Sequence, residues 1–159
     1  MRLTFPHMGF LSIPIQSLLE GLGHQVIVPP AINQRTFELG VKNSPEFACL
    51  PFKINMGNFI EALEEGAEAI LMAGGVGPCR FGYFAQVQKE ILSDLGYSFR
   101  LLLLDPPGVG IKPLYQAIRD LTKNSSLANT IFHLRLAWAK TDRLERANRL
   151  LRYYLPRVE

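Results

Sequence analysis

The chain has 159 residues, 48% hydrophobic and 19% charged, which is enough for one domain with a real core and short for two. That balance excludes a disordered chain, and apolar runs such as Ala69–Ala73 and Leu101–Leu104 are far too short to span a bilayer. A net charge of +3 does not by itself point to nucleic acid, and the opening MRLTFPHMGF has no secretory signal, so a cytoplasmic location is expected.

In chain order, Leu3–Phe5 is a short strand candidate. Ile13–Leu22 follows as a helix, with Ile13, Ile15, Leu18, Leu19 and Leu22 at helical spacing and Gly23 as its C′ residue. Gln25–Val28 is a β-branched strand stopped by Pro29-Pro30. Gln34–Leu39 reads as a short helix before Gly40. Ser44 and Pro45 have the residue types of an N-cap and a first helical position, so a helical turn is expected there, running toward Cys49-Leu50-Pro51. Asn58–Leu63 is a helix with Phe59, Ile60 and Leu63 on its apolar face. Ala69–Ala73 is a fully apolar strand of the kind covered on both faces.

The loop Gly74-Gly75-Val76-Gly77-Pro78-Cys79 leads into a helix from about Arg80 to Leu95, with Phe84, Val87 and Ile91 on one side and Gly96 ending it. Phe99–Leu104 is the next strand, and Asp105-Pro106-Pro107-Gly108 a loop. Lys112–Leu121 reads as a helix, Lys123–Ser126 as a turn, and Leu127–Leu155 as one or two helices. The alternation predicts a doubly wound, mainly parallel α/β sheet of Rossmann-like type with a helical C-terminal tail. Residues 1–110 form the α/β domain; 111–159 form a helical extension, either part of the same unit or the opening of a further domain.

The two cysteines, Cys49 and Cys79, carry the candidate chemistry. A stable cytosolic disulfide is not expected, which leaves buried thiols, a redox couple or ligands. Their spacing matches no C-x-x-C zinc or ferredoxin run, and on spacing alone two structural thiols are the commoner outcome. Position says more. In an open parallel sheet, ligands bind beyond the carboxyl ends of the strands, and Cys79 falls there, after a strand and beside a helix start. The positive helix end and Arg80 both favour the thiolate, the form that binds iron. Gly74, Gly75 and Gly77 let backbone N–H groups approach cluster sulfides. Cys49 lies in an apolar, Pro-bent segment with Phe47, Leu50, Pro51 and Phe52, suited to shielding a cluster from water.

Two motifs, SPEFACLPFK around Cys49 and GGVGPCRFGYF around Cys79, resemble the signature region of the 2-hydroxyacyl-CoA dehydratase (component D) superfamily. The likeness is nearest to its CoA-enzyme-activase-related branch. The opening TFPHMGFLSIPIQSLLEGLGHQVIVPP is similar too, so the resemblance covers roughly the first two-thirds of the chain. It implies a 4Fe-4S cluster ligated at the positions of Cys49 and Cys79, with a third cysteine far later in the chain. It also implies a lyase reaction, in which water leaves 2-hydroxyacyl-CoA through a ketyl radical after an ATP-dependent activator protein injects an electron. The implied partners are that activator and acyl-CoA, with no nucleic acid and no membrane.

The chain departs from the family in having no third cysteine, so its own ligand set is incomplete. A second subunit or a missing C-terminal part can supply the further ligand, two copies can share one cluster as a homodimer, or the cluster has been lost. The reading from a different class is a clusterless α/β scaffold, or a module binding a CoA-like ligand, acting through a partner subunit. Catalytic residues are not assigned.

The remaining candidates weigh less. His7 follows the first strand toward the rim of Cys79, while His24 reads as a surface residue and His133 as structural. The Gly75-Val76-Gly77 element lacks the third glycine of a dinucleotide fingerprint, Arg80 standing in its place, and no Walker A sequence occurs. Arg80 suits a cluster edge or a CoA phosphate. Lys53 and Asn58 suit substrate contact or a helix cap. On the tail, Arg143, Arg146, Arg149 and Arg152 form a basic stripe, opposite an apolar stripe of Leu144, Ala147, Leu151 and Tyr154 expected to pack on the domain or a partner.

Overall fold

The computed structural model describes residues 1–74, 81–105 and 111–155. Four parallel strands form one sheet: β1 (Arg2–Thr4), β2 (Gln25–Val26), β3 (Ala69–Ala73) and β4 (Arg100–Leu104), in the order β2-β1-β3-β4. Leu3 pairs with Val26 on one side and Ala69 on the other, and the β3–β4 ladder runs from Ala69–Arg100 to Ala73–Leu104. The expected α/β sheet with a helical tail is the fold observed.

Side-chain alternation along the strands explains why both faces are covered. Ile70 and Met72 of β3, with Leu101 and Leu103 of β4, pack with α3 (Leu50–Glu64) and α4 (Phe81–Asp94). Leu3, Ala69 and Leu102 point the other way, into a core closed by Ile15 and Leu19 of α1 (Ser12–Gly21) and Leu121 of α5 (Ile111–Thr122). Helices on opposite faces make the sheet doubly wound. The strand order reverses between β1 and β3, which is the switch point of this topology. Among the described residues, no helix is long and apolar enough to cross a membrane.

Two helix ends stop where glycine allows it. Gly23 and Gly96 have φ of 86° and 88°, and each ends its helix with a paired closure. His24 N–H donates to Leu19 O and Gly23 N–H to Glu20 O; Tyr97 N–H donates to Leu92 O and Gly96 N–H to Ser93 O. Tyr97 then packs near Glu64. Burial first, and the Glu64 charge and hydrogen bond next, raise its pKa above 10.0. Stability held below the ordinary tyrosine value is therefore lost as pH rises through the raised one. Tyr97→Phe is expected to flatten that loss above about pH 10, read from urea midpoints across the alkaline range.

Several sequence expectations need correction. Gly40 does not end a helix: α2 runs Gln34–Lys42, opened by a capping box between Asn33 and Thr36. Gly40 lies instead at a helix crossing, where a Cβ would sit 1.9 Å from Lys53 O; at Gly57 it would sit 1.9 Å from Thr36 O. The α2 and α3 backbones thus touch through two glycines. Thr36 Oγ1 donates to the buried Glu61 carboxylate across the same crossing, at 2.7 Å.

The helical turn expected at Ser44 and Pro45 is a single turn that does not continue as a helix. Ala48 N–H closes one turn on Pro45 O, and α3 then starts at Leu50, far earlier than the Asn58 expected. On α4 the buried face is Phe84, Ala85, Gln88 and Leu92, while Val87 is 36% exposed at its edge. His24 is buried, not on the surface, and its Nε2 lies 2.8 Å from Leu121 O, tying the α1–β2 turn to the end of α5.

The tail is one helix, α6 (Leu127–Tyr154), N-capped by Ser126. It rests on α1: Asn129 donates to Gly21 O, Lys140 to Ser17 Oγ, and His133 lies over Gly21. Of the expected apolar stripe only Leu144 is half-buried; Ala147, Leu151 and Tyr154 are exposed. Within the basic stripe, Arg146 and Arg149 pair with Asp142 and Glu145 one turn back.

Candidate functional site

The carboxyl ends of β1, β3 and β4 define the rim where this topology binds ligands. Because α3 leads down into β3, its N-terminus lies at that rim, and Cys49 is its N-cap residue. The local sequence fixes this start. Cys49 has extended backbone (φ −69°, ψ 158°) and its carbonyl accepts from Lys53 N–H, the first helical bond. Pro51 sits in the first turn, where its missing N–H costs nothing. Lys53 Nζ reaches back to Glu46 O at 3.2 Å and holds the turn before it.

Cys49 is a free, exposed thiol on the edge of an apolar cavity of about 210 Å³. Pro45, Phe47, Ala48 and Phe52 form one side, and Tyr83, Phe84 and Val87 of α4 the other. The two helices are locked at this point. Phe52 and Phe84 meet edge-to-face at 4.9 Å, and the buried Gln88 donates to Phe52 O at 3.3 Å. The unbonded N–H groups of α3's first turn give the rim a positive end that favours negative charge.

Gly74 follows β3, and its N–H is taken by Leu104 O at 3.2 Å. It serves the rim by leaving room, since a Cβ there would lie 2.7 Å from Asp105 Cβ. Asp105 is the residue sequence reasoning passed over as the first of a loop. It is a buried carboxylate directly after β4, and an acid closing an apolar strand was the available signal. Gly75, Gly77, Cys79 and Arg80 lie outside the described residues.

His7 is half-buried after β1, with Nδ1 closed off from solvent. Lys53 Nζ contacts the backbone at Glu46 O. Asn58 is no cap: it is fully buried within α3 and donates to Pro30 O at 3.2 Å, pinning the loop after β2. Among the described residues, no three His, Cys, Asp or Glu side chains come together to hold a metal ion. The described rim offers one soft sulfur donor, Cys49, exposed beside an apolar cavity, so a cluster held there would need its further ligands from elsewhere. No protein-family model, curated protein or solved structure matches the chain.

Proposed function

We propose that this chain is a cluster-binding α/β subunit of a 2-hydroxyacyl-CoA dehydratase-type or activase-related protein, with Cys49 and Cys79 as two ligands of a 4Fe-4S cluster. The observation that carries the reading is the place of Cys49. It caps α3 at the carboxyl rim, across a small apolar cavity from the first turns of α4, and α4 begins two residues after Cys79 in the chain. The motifs around both cysteines support the same reading.

When bound, the cluster supplies a one-electron carrier of low potential. The chain's own residues hold and shield it. Cys49 provides a thiolate. The buried rings of Phe52 and Phe84 back one side of the cavity beside the sulfur, which would favour retention of the cluster and tune its potential. With two cysteines in the chain, a partner subunit or second copy completes the ligand set. Any dehydratase activity then belongs to the assembled complex, with an ATP-dependent activator as electron source and acyl-CoA as substrate.

Protein reconstituted with iron and sulfide under anaerobic conditions is expected to be brown, with about four irons per cluster. Cys49→Ala and Cys79→Ala are each expected to remove the colour. A colourless, iron-free wild type, with its partner subunit present, would instead favour the clusterless scaffold.

A further inference from the structure

The α6 helix has 28 residues and none of them is buried. Its inner side meets α1 through Asn129, His133, Lys140 and Leu144. Its outer side carries Leu127, Ile131, Leu134 and Trp138, which are 77%, 49%, 51% and 80% exposed. These four recur at intervals of four, three and four residues, so they form one straight apolar seam. Asp142 and Glu145 end the seam after Trp138.

The chain's accessible surface is also large. A compact monomer of 17.9 kDa exposes about 8,000 Å², against 10164 Å² here. Part of that excess comes from α6, none of whose residues is buried.

We propose that the seam is the interface of a homodimer, in which the α6 helices of two copies pair antiparallel about a two-fold axis near residues 132 and 133. The spacing fits itself in this sense. Leu127 falls opposite the partner's Trp138 and Ile131 opposite the partner's Leu134, giving four apolar layers, each small side chain against a larger one or its near equal. The same register brings Asp142 of each copy opposite the partner's exposed Lys123, just before the start of the partner's α6, where the helix end is positive. A parallel pair would place Arg135 beside the partner's Arg135 and Asp142 beside the partner's Asp142. Self-complementary seams of this kind close as two-fold dimers.

Trp138 is the single tryptophan, so its emission reports the interface directly. Light scattering after gel filtration is expected to give twice the monomer mass, with blue-shifted emission that moves red on dilution. Trp138→Glu is expected to raise the dimer dissociation constant by about thirtyfold or more. Helical circular dichroism should stay unchanged, because the side chain is exposed in the single chain. Leu134→Glu serves as a second variant with the same expectation. A monomer at all concentrations with solvent-like Trp138 emission would overturn the proposal, as would a dimer unaffected by both variants. Iron content plays no part in these readouts, so the cluster assignment stands or falls separately.

Discussion

Gly57→Val is expected to destabilise the protein by about 3 kcal/mol or more, seen as a lower urea midpoint with an unchanged slope. In a solvent-facing helix, replacing glycine even by alanine stabilises by roughly 1 kcal/mol. Here the sign reverses, because the first added carbon would lie 1.9 Å from Thr36 O and 2.8 Å from Thr36 C. These are backbone atoms, so no rotamer change relieves the clash and α2 must move off α3. That motion also breaks the hydrogen bond from Thr36 to the buried Glu61, leaving a carboxylate without its partner. Gly40→Ala meets Lys53 O from the other side and is expected to act in the same direction. A midpoint at or above the parent's for both variants would mean that the helices do not cross at these glycines.

Phe52→Ala is expected to cost about 3–5 kcal/mol. Phe52 is 4% exposed, wedged between the α3 start and α4, and it makes the edge-to-face contact with Phe84. Its loss leaves a cavity at the place where the two helices bearing on the rim are joined. The same change removes the wall behind Cys49. In anaerobically reconstituted protein, a chelator is therefore expected to strip iron several-fold faster from Phe52→Ala than from the parent, under conditions where both are folded. Phe52→Leu, which keeps most of the volume, should recover much of both properties. Equal iron-loss rates in all three would detach the apolar cavity from cluster retention.

The strands and their order of appearance were legible because both signals are local. Ala69–Ala73 is a continuous apolar run, and Gly23 and Gly96 punctuate the helices before β2 and β4. What the sequence hid were contacts between distant segments. Gly40 looks like a helix stop when only its neighbours are considered; its partner across the crossing lies on α3. Asn58 looks like a cap because its fixed bond goes to Pro30, many residues earlier. His24 looks exposed because its partner, Leu121 O, lies 97 residues on. At the rim, the apolar surroundings of Cys49 were readable from Phe47, Pro51 and Phe52. The other wall, from Tyr83, Phe84 and Val87, was not, since the helical spacing pointed Val87 inward when it lines a surface cavity. Asp105 escaped notice because a strand-ending acid before two prolines has the composition of an ordinary loop.

The proposal that Cys49 and Cys79 ligate one cluster requires their sulfurs to come within a cluster's width of each other. It is tested most directly in cluster-free protein treated with a short bifunctional thiol reagent and mapped by mass spectrometry. The account predicts one intrachain bridge joining peptides 49 and 79, formed in the folded protein and lost in urea. Separate modification of each thiol without a bridge, in protein whose folded signal is intact, would contradict it.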